Sequence, residues 1–305
     1  MNKILVTGSS GFIGTHLCHA LVEEGYNVEG VDISQPKFEL PESIETHITD
    51  LTEPTELPES DIIVHLAAHS QVQPVVESPE LALENIQMTQ NILSEADRMD
   101  ASVINISSRD IYGNSLQPSE DESTIDSPNG YAASKISSEA LSNAFRHTMD
   151  VSVTSLRLAN VYGSMDTNQR VIPIFIALAD AGEELTVFGK QKLLDFIHVD
   201  DVCRAIQSTI NRSEITDGEA INIGSGVGTS LPEIASYISE SIESCPGWSV
   251  SDNRTGDVGQ YVSDISKSRS ILNFEPEISL NKGMDKTIDW YLNSPEMLET
   301  IRSKL

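Results

Sequence analysis

Tyr131 and Lys135 stand four residues apart in "YAASK", a step that puts both side chains on one face of a helix. An ammonium group beside a phenol stabilises the phenolate and draws its pKa down from about 10 toward neutrality. Just upstream, "SVINISSRDIYG" reads as a strand that ends at Ser107 and Ser108, whose hydroxyls are placed to hold a substrate oxygen. The three groups together make a base for taking a proton from an alcohol while its carbon is oxidised.

That chemistry needs an electron acceptor, and the N-terminal segment offers a place for one. "TGSSGFIG" sets Gly8, Gly11 and Gly14 between the apolar run "KILV" and the helical pattern "THLCHALVEEG". A glycine-rich turn from strand to helix lets backbone amides approach a pyrophosphate at the positive helix end. One strand later, "NVEGVD" ends in Asp32, where a carboxylate binds adenosine ribose hydroxyls and repels a 2′-phosphate, which favours NAD over NADP.

The elements that must position these groups are legible as an alternation. Short β-branched runs, "KILV" 3–6, "NVEGV" 27–31, "DIIVHL" 61–66, "SVINI" 102–106 and "VSVTSLR" 151–157, are separated by helical patterns. Ala82, Ile86, Thr89, Leu93 and Ala96 step by fours and threes, and Ile136, Ala140 and Ala144 align within a second helix over 131–148. The pattern predicts an α/β fold: a doubly wound parallel sheet of Rossmann type with helices on both faces. The second half alternates less regularly, with "AINIG" 220–224 and "LPEIASYISESI" 231–242 as its clearest signals. The expected division is a cofactor unit over residues 1–165 and about 191–212, with a smaller α/β substrate unit inserted over about 166–190 and 213–305.

Composition narrows the partners. In 305 residues, 47 acidic side chains face 19 basic ones, a net charge of −28 that disfavours nucleic acid and anionic membranes. An excess of this size suits a high-salt cytoplasm, where screening relieves self-repulsion. Cys18, Cys203 and Cys245 are odd in number and far apart, so neither a disulfide framework nor a metal site follows. The start "MNKILVTG" runs straight into a strand without a signal-peptide pattern, and a cytoplasmic location is expected.

With these motifs in order, the chain resembles an extended short-chain dehydrogenase/reductase of the NAD-dependent nucleotide-sugar epimerase and dehydratase family, of the UDP-glucose 4-epimerase type. The match adds "HLAA" 65–68, Asn85 before "TQNIL", "LRLANVYG" 156–163, "LDFIHVDDV" 194–202, "INIGSG" 221–226, "RTGDV" 254–258 and "TIDWY" 287–291. The resemblance implies NAD held by Gly8, Gly11, Phe12, Ile13, Gly14, Asp32 and Ile33. Asp50 and Leu51 flank the adenine, and Leu66, Ala67, Ala68, Asn85 and Leu158 add to the cofactor set. Ser108, Tyr131 and Lys135 become the catalytic group, with Tyr131 and Lys135 also at the cofactor. Ser108, Asn160, Arg170 and Arg254 meet a nucleotide sugar, a UDP-sugar first.

The expected activity is C4 epimerisation through a transient 4-keto sugar, by a homodimer that pairs helices 80–98 and 131–148. Two departures stand out: Leu194 occupies a position where the family often has arginine, and Arg109 and Asp110 carry charge where many epimerases have small residues. Asp110 makes a 4,6-dehydratase or decarboxylase the alternative, unless Arg109 holds it in an ion pair. A non-catalytic NAD-binding scaffold is a minor third reading, opposed by the intact Ser108, Tyr131 and Lys135.

Overall fold

The computed structural model describes residues 2–252 and 259–305. Its strands are β1 (Lys3–Thr7), β2 (Asn27–Asp32), β3 (Glu45–Ile48), β4 (Ile62–His65), β5 (Ser102–Ser108), β6 (Ser115–Leu116), β7 (Val153–Leu158), β8 (Asn160–Tyr162), β9 (Leu185–Phe188), β10 (Leu193–His198), β11 (Ala220–Ile223), β12 (Gly228–Ser230), β13 (Trp248–Ser251) and β14 (Gln260–Val262). Seven of them form one sheet in the order β11-β7-β5-β4-β1-β2-β3, and every pairing in it is parallel.

Both faces of this sheet are covered, as continuous apolar runs require. In β1, Ile4 and Val6 enter one buried cluster while Leu5 enters another on the opposite face, and Ile62, Val64 and Ile63 in β4 divide the same way. The covering helices include α1 (Phe12–Glu23), α3 (Glu80–Met99), α4 (Gly130–Met149) and α6 (Val199–Ile210), while α2 (Val72–Glu77) packs on α3 and α4, and α5 (Val171–Asp180) packs against β9. Helices α3 and α4 are pinned together by buried polar contacts: Asn85 donates to the Ser134 hydroxyl at 3.2 Å, and the Thr89 and Ser138 hydroxyls lie 2.8 Å apart.

A five-stranded sheet runs β12-β10-β14-β6, with β8 pairing β10. Asp195 in β10 is fully buried, and its carboxylate binds two distant segments. Its carboxylate accepts from the amides of Ser225 at 2.8 Å, Gly226 at 3.0 Å and Ser263 at 3.0 Å.

The doubly wound parallel sheet agrees with the sequence reading, and two details correct it. Residues 220–223, expected in the substrate unit, are the edge strand β11 of the large sheet, bonded in register to Ser155–Leu158. Ile221 and Ile223 are fully buried there, so the apolar alternation of "AINI" serves the main core. Strand β3 was not anticipated, because "ETHI" has no buried residue to set a pattern.

Candidate active site

The carboxyl ends of the sheet strands open onto a cleft of about 810 Å³. At one end of it the glycine loop makes a tight cradle. Gly8 has φ +71°, and a Cβ there would stand 2.9 Å from the Ala67 nitrogen; a Cβ on Gly14 would stand 2.1 Å from the Gly8 carbonyl oxygen. Helix α1 therefore starts hard against the loop, and its N-cap residue Gly11 offers no side-chain acceptor to the first-turn amides. Free amides at a helix N-terminus facing a cleft are suited to a pyrophosphate, so the cradle fits a dinucleotide.

Asp32 ends β2 on the same wall. Its carboxylate accepts from the Ser10 amide at 3.0 Å and the Ser34 amide at 3.0 Å, which fixes its orientation. Phe12, Ile13, Ile33 and Leu51 line this end of the cleft beside it. Asp50 accepts from the Thr52 amide and hydroxyl, which hold its carboxyl below the usual range. Leu66, Ala67 and Ala68 follow β4 along the floor, and Leu158 follows from β7. Asn85 was expected at the cofactor but does not line the cleft. It is buried behind the wall, where its side-chain oxygen accepts from the His69 amide at 2.8 Å and so shapes the segment after Ala68. His65 is an interior residue too, 2.9 Å from the Thr7 hydroxyl and pushed down to about 3 by burial.

Ser108, Tyr131 and Lys135 meet at the middle of the cleft. Strand β5 delivers Ser108; helix α4 delivers the other two from one face, its start capped by the Asn129 side chain. The expected lowering of the Tyr131 phenol is corrected here. Burial raises it to about 12, Asp110 adds to the rise, and Arg170, a hydrogen bond with Ser108 and Arg109 only partly oppose it. The Lys135 ammonium donates to the Ile106 carbonyl at 2.7 Å and lies 5.9 Å from the tyrosine ring centroid. Burial pushes Lys135 itself down to about 8.

The third wall carries charged and amide groups. Asp110 accepts from the Ser108 hydroxyl at 3.1 Å and lies 3.5 Å from an Arg109 nitrogen. That same guanidinium nitrogen donates to the Asn160 side-chain oxygen at 3.3 Å, and Asn160 donates in turn to the Asp195 carbonyl at 2.8 Å. Arg170, at the start of α5, lines the cleft 3.7 Å from Asp166 with its guanidinium 5.9 Å from the Phe12 ring centroid. Arg254 lies outside the described residues. Sequence reasoning missed Tyr261, whose ring lies under the Arg109 guanidinium at 5.6 Å, and the buried Asp195. An acid inside the apolar run "LLDFI" was the available signal for the latter.

Comparison with known proteins decides the lineage. The sequence model of the NAD dependent epimerase/dehydratase family matches residues 4–224. The chain belongs to this family. Its cofactor is NAD, and its substrates are of the nucleotide-sugar class on which epimerases, dehydratases and decarboxylases of the family act. A solved relative is the UDP-glucose 4-epimerase of Thermotoga maritima with UDP-glucose, 29% identical with a TM-score of 0.89, covering 96% of this chain and 99% of that one. The UDP-N-acetyl-alpha-D-glucosaminuronate decarboxylase of Bacillus cytotoxicus is 32% identical over 95% of this chain and 97% of its own. The dTDP-glucose 4,6-dehydratase of Streptomyces niveus is 30% identical over 80% of this chain and 73% of its own. Family membership thus leaves three reactions to be separated by the site. Among the described residues, no helix is long and apolar enough to cross a membrane, and no cluster of ligating side chains could hold a metal ion.

Proposed function

We propose that the protein is a nucleotide-sugar 4-epimerase acting on a UDP-hexose or UDP-uronic acid. The observation that carries this reading is the engagement of Asp110: its carboxylate accepts from the Ser108 hydroxyl at 3.1 Å and pairs with Arg109 at 3.5 Å, so the acid–base work at the 4-hydroxyl falls to Tyr131. A dehydratase needs a further acid or base to move the C5 proton and expel the 6-hydroxyl, whereas a 4-epimerase needs none.

Residue by residue, the Ser108 hydroxyl holds the 4-oxygen and Tyr131 takes its proton as C4 becomes a ketone. Bound NAD would supply the acceptor for the electron pair leaving C4. Burial raises the Tyr131 phenol, and Arg170, the hydrogen bond with Ser108 and Arg109 draw it down. Asn160, Arg170 and, beyond the described residues, Arg254 serve the diphosphate, which leaves the sugar free to turn its other face before Tyr131 returns the proton. The cleft wall of Asp32, Asp50 and Leu66–Ala68 holds the adenosine end.

A second reading is kept because Asp110 does line the cleft: a 4,6-dehydratase or decarboxylase in which its carboxylate leaves Arg109 and works on C5 or C6. Incubation with a panel of UDP-, dTDP-, GDP- and CDP-sugars, with products read by NMR, separates the two. C4 epimers of an added UDP-sugar support the first reading, and a 4-keto-6-deoxy sugar or released carbon dioxide replaces it with the second.

The same reading extends to assembly and setting. We infer a homodimer formed through α3 and α4, where Leu83 is 68% exposed, working in the cytoplasm at high salt. Light scattering in high and low salt tests the dimer, and a monomer in both would remove it.

A further inference from the structure

Two arginines stand near the end of β5, Arg157 buried on the neighbouring β7 and Arg109 mostly covered, and their surroundings differ. Arg157 is fully used: it pairs with both Glu139 oxygens at 3.1 and 2.8 Å and donates to the Tyr112 hydroxyl at 2.6 Å. Arg109 is not. Its side chain is 13% exposed, and one terminal nitrogen serves both Asn160 and Asp110, at 3.3 and 3.5 Å. The other terminal nitrogen is buried without a hydrogen-bond partner among the described residues. Its guanidinium lies over the Tyr261 ring, 5.6 Å from the centroid, and the residue lines the cleft.

A buried, unpaired guanidinium N–H loses its hydration without recompense, unless an acceptor arrives from outside the chain. The acceptor of best fit is planar and anionic, because a guanidinium edge presents parallel donors to two oxygens. Arg109 lies 3.5 Å from Asp110, whose carboxylate accepts from the Ser108 hydroxyl at 3.1 Å, and all three line the cleft with Tyr131. An anion that Arg109 binds therefore lies near the catalytic hydroxyls, at the sugar end of the substrate. In a hexose ring oxidised at C4, the neighbouring C5 carries C6, and a carboxylate there is an anion centred two bonds from the reacting carbon.

We propose that Arg109 is a specificity-determining residue that binds a carboxylate on the sugar, so that the enzyme takes a nucleotide-linked uronic acid in preference to a neutral hexose. This rests on the nucleotide-sugar reading of the cleft and narrows it.

The test measures binding without turnover. In the Tyr131→Phe protein with NAD bound, UDP-glucuronic acid, UDP-glucose and UDP are titrated by calorimetry, then again after adding Arg109→Gln or Arg109→Lys. UDP-glucuronic acid should bind roughly 10- to 100-fold more tightly than UDP-glucose, as expected for one charge-assisted pair in a partly desolvated site. Arg109→Gln should erase that preference and leave UDP affinity unchanged, and Arg109→Lys should keep part of it. Equal binding of the two sugars by the parent overturns the proposal without need of the variants. Equal weakening of all three ligands by Arg109→Gln overturns it too, and assigns the guanidinium to the diphosphate. Loss of the proposal with UDP still bound leaves the nucleotide-sugar reading standing, whereas failure of the parent to bind UDP or either sugar removes both.

Discussion

Along the side of the cleft proposed for the cofactor, the groups on offer are backbone amides and shapes: Gly8, Gly11 and Gly14 in one loop, the first turn of α1, and an Asp32 already tied to two amides. Along the side proposed for the substrate they are long charged or amide side chains, Arg109, Asp110, Asn160 and Arg170, drawn from three separate segments, with Arg109 between Asp110 and Asn160 and Arg170 paired with Asp166. A backbone site tolerates little change in the chain but needs little from its neighbours. A side-chain site can be re-specified by one substitution, which is how one fold carries several reactions.

The largest test of this contrast strikes where the two sides meet. Tyr131→Phe should leave the fold and NAD binding in place and lower turnover by roughly two to four orders of magnitude, measured on the sugar that the panel identifies. Retained turnover would take Tyr131 out of the mechanism.

Lys135 comes next. Its buried ammonium has a pKa of about 8, below the ordinary 10.5, so between these values the unfolded chain holds a proton that the folded chain has released. Stability from this group is fully present above about 10.5 and is lost as pH falls through 8. Lys135→Met lacks the effect: its stability relative to the native protein should be greatest at pH 7 and fall by roughly 3 kcal/mol by pH 10.5, in urea unfolding at the two pH values. A constant difference would show that the lysine is hydrated in the folded protein.

A smaller effect is expected on the cofactor side. Gly14→Ala forces a methyl group against the Gly8 carbonyl, and the loop must move to accept it. That should cost roughly 1–3 kcal/mol of stability and weaken NAD accordingly, with UDP affinity unchanged. Equal loss of both ligands would mean that the two sides are mechanically one.

The smallest is Asp110→Asn. If the carboxylate only braces Ser108 and Arg109, interconversion of C4 epimers should survive within about tenfold, or 1.4 kcal/mol. Accumulation of a 4-keto sugar that the native enzyme carries onward would give Asp110 the second acid–base role.

What could be read before the structure follows the same division. The strands of the parallel sheet are buried on both faces, so their apolar runs announce themselves, and the glycine loop is compact in sequence. Strand β3, with no buried residue, gave no such signal, and β11 looked detached because its sheet partner β7 lies far back along the chain. The pairing of Tyr131 with Lys135 was legible as spacing, but the direction of the phenol shift was not. It depends on burial and on Asp110, Arg109 and Arg170, which no local pattern brings together. The Arg109 stack on Tyr261 is equally remote in sequence and equally silent.

The buried Asp195 carboxylate gives the cleft an order of assembly. Every described residue on the cofactor wall has been made once synthesis passes Leu158, whereas Asp195 waits for the Ser263 amide, and Asn160 hangs from the Asp195 carbonyl. At ordinary rates of translation that interval lasts on the order of ten seconds. A nascent chain thus has the parts for gripping its dinucleotide well before it has those for gripping a sugar, and a ribosome stalled in between carries half a cleft.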